Sequence, residues 1–260
     1  MSFVLLGHHR TGSSYMLDVI RHNKNVETIN EPFSMHLDFF REDETFWPDK
    51  QAFFSQVHDS SCTATYINDL NNWLNEKEYN VVRGFKETSL FEKYDWLISE
   101  LNISNTIILV RDFRATINSV IKRNMQNSWW DYKGRLEKYY KYEVDKLDDI
   151  EICAYLLKER MSYIKNIVSN NEVMLIRLED FFDDRLLFTE KLMNYIGLNL
   201  CKEQEEFIKL TSINTRNSTY SNYRNRHDVL LQWKDMLSRK DVERINGILK
   251  EELEFFGYFE

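Results

Sequence analysis

Four short runs, each apolar almost throughout, set the frame of this chain: Phe3–Gly7, Asn80–Phe85, Thr106–Val110 and Glu172–Arg177. A strand with one wet face alternates apolar and polar residues. Runs without that alternation belong to parallel sheets covered on both sides. Helical patterns fill the intervals, over 14–23, 90–101, 115–124, 149–168 and 186–196, and a last one covers 239–255. A weaker strand candidate, Val26–Ile29, precedes Asn30-Glu31-Pro32. This order predicts an α/β fold with a doubly wound parallel sheet flanked by helices. Residues 36–78 and 126–147 fit the alternation poorly and are expected to form helical insertions over the ligand-binding edge. Seven glycines and two prolines leave no room for a flexible linker, so residues 1–260 are expected to form one domain.

The net charge of −8 argues against general nucleic-acid binding. Its distribution is uneven. Residues 1–24, 107–125 and 211–240 carry +2, +3 and +4, so the rest of the chain holds −17. Three basic islands in an acidic protein point to a confined anion site. The cysteines Cys62, Cys153 and Cys201 are odd in number and widely spaced, which speaks against a disulfide framework or clustered metal ligands and for a cytoplasmic setting. No apolar run approaches the roughly 18 residues of a membrane span, and the first residues read as a strand rather than a signal peptide.

Ligands of doubly wound folds bind beyond the carboxyl ends of the strands. After the first strand stands Gly7-His8-His9-Arg10-Thr11-Gly12-Ser13-Ser14-Tyr15. Its two glycines have the G-x-x-x-x-G spacing of a phosphate-binding loop, in which backbone N–H groups at a helix start face an anion. Position 13, a lysine in nucleoside triphosphatases, is serine here, and the loop's one cation is Arg10. That removes the main contact to β- and γ-phosphates and argues against ATP.

The third strand ends in Val110-Arg111-Asp112, where a Walker B element would place a metal-binding Asp. Arg111 and Ser119 could converge on one anion, the guanidinium by its fork and the hydroxyl as a donor. Equally, Arg111 could pair with a carboxylate and Ser119 could cap a backbone carbonyl.

Taken in order, these motifs resemble the sulfotransferases that use 3′-phosphoadenosine 5′-phosphosulfate (PAPS). The family's 5′-phosphosulfate loop is similar to Arg10-Thr11-Gly12-Ser13-Ser14, in the arginine-first form of many carbohydrate enzymes. Its 3′-phosphate element is similar to Arg111-Asp112-x-Arg114-Ala115-x-x-Asn118-Ser119. Arg226-His227-Asp228 before Trp233-Lys234 resembles the family's late basic loop. There His227 and Asp228 depart from the common lysine and glycine, so Arg226 alone is carried over. The three basic islands are these three motifs.

The resemblance implies a P-loop-like fold and metal-free, in-line transfer of a sulfuryl group from PAPS to a hydroxyl acceptor, a carbohydrate or glycolipid. It implies that Arg10, Thr11, Gly12, Ser13, Ser14, Tyr15, Arg111, Ser119 and Arg226 bind the nucleotide. Arg10 would also serve the leaving phosphate. Carbohydrate-type members place a glutamate base about twenty residues past the loop cation, which falls on Glu31; His36 and the pair His8-His9 are rival bases. Lys86 could reach the sulfate or the acceptor, or form a surface pair with Glu87. Glu179-Asp180 resembles a mainly structural family segment. Trp129, Trp130 and nearby tyrosines are either core or a stacking platform for a sugar ring. Two other readings stand beside this one: a kinase-like phosphotransferase, which would need a loop lysine and magnesium, and a nucleotide-binding module without catalysis. The sequence leaves acceptor identity and oligomeric state open.

Overall fold

Five strands, all parallel, form one sheet in the order β2-β3-β1-β4-β5. They are β1 (Ser2–Gly7), β2 (Val26–Asn30), β3 (Val82–Glu87), β4 (Asn105–Val110) and β5 (Met174–Arg177). The computed structural model describes residues 1–33, 61–88, 90–127, 131–213 and 226–259. His36, Trp129 and Trp130 lie outside them.

The central strand shows why the sheet is wound on both sides. All six residues of β1 are buried. Val4 and Leu6 enter a core shared with helices Tyr94–Leu101, Phe113–Ile121, Tyr132–Tyr140 and Asp149–Asn170. Phe3 and Leu5 enter the opposite core with helices Ser13–Arg21 and Arg185–Tyr195. A chain apolar on both faces of its strands needs both layers, since each large side chain removed from water contributes about 1.5–3 kcal/mol. The α/β expectation therefore holds.

β2 is half-exposed at the sheet edge, which explains its faint sequence signal. β3 begins two residues later than its apolar run and extends through Lys86 and Glu87. Asn80, at φ 59°, turns the chain before the strand. Leu5 and Leu6 pair with Lys86 and Glu87 in the ladder. The apolar pattern stops at Phe85 because the last strand residues are buried charges, a first sign that this edge does more than pack.

The final helical pattern is broken into Arg239–Ile248 and Lys250–Phe255. Leu249, at φ −103° and ψ 18°, leaves helical geometry so that the second piece can turn its own apolar residues inward. Helices Leu178–Asp183 and Lys202–Ile213, which the periodicity did not single out, cover the Phe3/Leu5 face. Of the expected insertions, helices Ser61–Asn75 and Tyr132–Tyr140 are described.

From β1 the chain crosses to β2 on one side, and from β4 it crosses to β5 on the other. The crevice where such a sheet reverses direction lies at the carboxyl ends of β1 and β4.

Candidate active site

The loop after β1 is folded to leave amides open. Thr11 donates its backbone N–H and its hydroxyl to His8 O, at 3.2 and 2.6 Å, curling the chain into a tight turn. Gly7 is needed for close approach: a Cβ there would lie 2.9 Å from Thr11 Oγ1 and 3.1 Å from Leu109 O. Gly12 is needed for its backbone, at φ 90°, and a Cβ would press on Leu178 at 3.1 Å. Helix Ser13–Arg21 starts at Gly12 with no side-chain cap and no acid in its first turn. Its first N–H groups and the positive end of its dipole thus suit an anion.

Helix Phe113–Ile121, after β4, is finished differently. Asp112 caps it by accepting from Arg114 N at 2.9 Å. Anion recognition at this corner therefore falls to side chains. Arg111 Nη1 donates to Arg10 O at 2.7 Å, so the guanidinium of the second motif closes on the opening loop. Arg111 Nη2 donates to Val229 O, bringing in the segment His227–Leu231. Arg10 Nε donates to Ser119 Oγ at 3.2 Å. Arg10, the stretch holding Arg111 and Ser119, and the third basic island thus meet although each is about a hundred residues from the next.

The corner is braced from behind. Arg114 grips Asp112 with both arms of its fork at 2.9 Å, donates to Tyr258 O at 2.8 Å and lies 4.4 Å over the Trp233 ring. Glu179 accepts from Asp112 N at 2.9 Å and from the Tyr258 hydroxyl at 2.7 Å. Burial pushes the Glu179 carboxyl up, opposed by those hydrogen bonds. Arg226 is not brought to the crevice: it is exposed and ion-paired with Asp183.

A second group forms at the ends of β2 and β3. Lys86, only 3% exposed, pairs with Glu31 at 2.8 Å and donates to Ser14 Oγ at 3.4 Å. Its partner is therefore Glu31 across the sheet, not its sequence neighbour Glu87, which lies on the other face of the strand. Thr88 donates its hydroxyl to the same Glu31 oxygen at 3.1 Å. Glu31 N–H donates to Lys86 O at 2.7 Å, continuing the β2–β3 ladder by one bond. Glu31 keeps 25% of its side chain exposed. Arg10 and Glu31 both have positive φ, 71° and 52°, and neither is glycine. Such conformations cost roughly 1–3 kcal/mol each and cluster where function over-determines the backbone.

Sequence reasoning missed Thr88, although period-2 spacing from Lys86 puts it on the same side of the strand. It could not find Val229, which contributes a backbone carbonyl. Tyr15 is buried, with its hydroxyl 2.7 Å from Thr211 Oγ1 and taking a hydrogen bond from Arg185 at 3.2 Å, so its side chain packs behind the loop. His8 and His9 are buried beneath it. Among the described residues no group of three or more His, Cys, Asp or Glu could hold a metal ion, and no helix is long and apolar enough to cross a membrane.

No protein-family model matches the chain, and no curated protein matches it either. Solved structures do. A sulfotransferase domain from the curacin biosynthetic pathway is 14% identical with a TM-score of 0.58, covering 95% of this chain and 96% of its own. A mouse sulfotransferase complexed with PAP is 10% identical with a TM-score of 0.55, over 97% and 83%. A sulfotransferase from Alicyclobacillus acidocaldarius is 10% identical with a TM-score of 0.53, over 97% and 92%. The chain thus has the fold of the sulfotransferases, and the P-loop-like architecture expected from the motifs is the one it adopts.

Proposed function

We propose that the protein is a PAPS-dependent sulfotransferase acting on a hydroxyl acceptor, of carbohydrate or glycolipid class. One observation carries the reading. A buried ammonium, a carboxylate and an uncapped phosphate loop are tied together through Lys86, Glu31 and Ser14, beside a loop clasped by Arg111. In such a reaction the acceptor oxygen bonds to sulfur as the bond from sulfur to the 5′-phosphate oxygen breaks, releasing 3′,5′-ADP. The acceptor proton passes to a base. Glu31 is suited to that role: both of its described side-chain contacts fall on Oε1, and Oε2 has no hydrogen-bond donor among the described residues.

Charge develops on the leaving phosphate, where Arg10 and the Gly12–Ser14 amides would stabilise it. Lys86 stands where it can serve the transferred group or hold Glu31. Arg111 and Ser119 supply the donors for a 3′-phosphate, and Arg226 joins them only if it leaves Asp183. No metal enters this scheme. The structural relatives support the nucleotide: the mouse protein is complexed with PAP, and a retinol dehydratase with a TM-score of 0.51 is complexed with androsterone and PAP. The arginine-first loop and the glutamate favour a sugar hydroxyl over other small-molecule acceptors. A cytoplasmic setting belongs to the same reading and rests on the scattered cysteines.

The kinase-like alternative is not favoured, because Ser13 still stands where a loop lysine is required. Thermal unfolding separates the two. At a hundred times its dissociation constant, 3′,5′-ADP is expected to add about 2.7 kcal/mol of stability. Stabilisation by ATP-Mg and not by 3′,5′-ADP overturns the proposal. A product screen with labelled sulfate donor over sugar, lipid and phenol acceptors then assigns the acceptor.

A further inference from the structure

Two arginines of this fold are held by carboxylates. Arg83 is paired with Glu27, Glu76 and Glu78, and Arg114 with Asp112. Arg160 is different. It lies in the middle of helix Asp149–Asn170, is 2% exposed, and has no carboxylate partner among the described residues. Nη1 is 3.5 Å from His9 Nδ1, a marginal contact, and Nε has no partner. The Tyr132 hydroxyl is also buried with no hydrogen-bond partner among the described residues, while His8 donates its Nδ1–H to His9 O at 2.8 Å.

The rings of His8 and His9 stack with centroids 3.8 Å apart, and His9 meets the edge of Tyr132 at 5.4 Å. Burial, and then the neighbouring cations Arg160 and Arg135, hold both imidazoles well below their ordinary pKa. They are neutral and supply no further charge. A second guanidinium, that of Arg135, is close enough to act on both rings. A buried cation in this state is expensive unless an anion joins it.

We propose that Arg160, with the Tyr132 hydroxyl, forms a subsite for an oxyanionic group, a carboxylate, sulfate or phosphate, carried by the acceptor. The cluster adjoins Arg10 in the chain, which places it beside the nucleotide cradle. Helix Ser13–Arg21 comes to the loop from the Phe3/Leu5 face and helix Asp149–Asn170 from the Val4/Leu6 face, so the two groups of anion-binding donors approach the loop from opposite faces of the sheet. That the anion belongs to an acceptor rests on the sulfotransferase reading; the anion site itself does not.

The test is thermal unfolding of the full chain with inorganic sulfate titrated at constant ionic strength, with and without saturating 3′,5′-ADP. The wild type is expected to show a saturable rise in Tm from sulfate even when the nucleotide is bound. Arg160→Met is expected to lose that rise and keep the response to 3′,5′-ADP. Equal sulfate responses in both proteins, or none in the nucleotide-bound wild type, overturn the proposal. Should Arg160→Met fail to fold, Arg160→Lys replaces it. Losing the guanidinium fork is expected to weaken sulfate at least about fivefold, and equal affinity overturns the site.

In transfer assays with a glucuronoside and the matching glucoside, Arg160→Met is expected to raise KM about tenfold or more for the charged acceptor alone. Equal changes for both acceptors remove the acceptor's anion from the site. If the wild type neither responds to 3′,5′-ADP nor transfers sulfate, the sulfotransferase reading fails. The sulfate titration without nucleotide then judges Arg160 by itself.

Discussion

Glu31→Gln separates catalysis from architecture at this site. Gln is isosteric and keeps an oxygen where Lys86 Nζ and Thr88 Oγ1 now donate, at 2.8 and 3.1 Å. What it loses is the charge and the capacity to take a proton. The exchange leaves the buried Lys86 ammonium without a carboxylate and costs about 1–3 kcal/mol, held to that range because Glu31 is a quarter exposed and water screens part of the pair. For a chain of this size each kcal/mol lowers Tm by about 2–4 °C. Loss of a general base lowers kcat by about 10²–10⁴. The assay is sulfuryl transfer under saturating donor, with 3′,5′-ADP affinity measured calorimetrically on the same protein. Unchanged nucleotide affinity with kcat reduced by that amount is the expected result. A kcat within about threefold of wild type, in a protein that binds nucleotide normally, refutes Glu31 as the base.

Arg111→Ala removes donors to Arg10 O and Val229 O, and is expected to weaken 3′,5′-ADP about 10–100-fold in calorimetry while affecting 5′-AMP less. An equal loss for both nucleotides contradicts recognition of the 3′-phosphate. Gly12→Val forces a β-branched residue to φ 90° against Leu178 and is expected to cost about 2 kcal/mol or more, read from the urea midpoint, with loss of nucleotide stabilisation. Far from the site, hydrogen bonds from Arg244 and Ser238 hold the Asp241 carboxyl below its ordinary range. A depressed carboxylate stabilises the fold fully above its unfolded pKa, about 4, and loses that contribution as pH falls through the lower folded value. Arg244→Met is therefore expected to flatten the acid limb of urea midpoint against pH, and an unchanged slope refutes the assignment.

The strands were legible because burial on both faces removes polar residues from the runs, and composition records that directly. β4 and β5 needed little more than their apolar runs. Where the site intrudes, the same logic fails. β3 was read as ending at Phe85 because Lys86 and Glu87 are charged, and they remain in the strand because Glu31 across the sheet pairs with Lys86 and the Thr88 N–H donates to Glu87. The expected Lys86–Glu87 pair gave way to Lys86–Glu31 for a geometric reason: adjacent strand residues point to opposite faces. The loop glycines were found by spacing, and the positive φ of Gly12 gives the physical cause of that spacing.

The linear order of residues settled which chemistry the chain could hold: a helix start without the triphosphatase lysine, arginines after two buried strands, and a glutamate near a third. These are properties of residue type and short-range spacing, which the backbone carries with it wherever it goes. Folding alone decided the pairings. Arg111 reaches Arg10 across a hundred residues, Thr88 and Lys86 converge on one carboxylate oxygen, Arg226 turns to Asp183, and Arg160 is enclosed beside two neutral imidazoles. Partners of that kind are chosen by which sheet edges and helix faces are brought together in space, and no local pattern encodes that meeting.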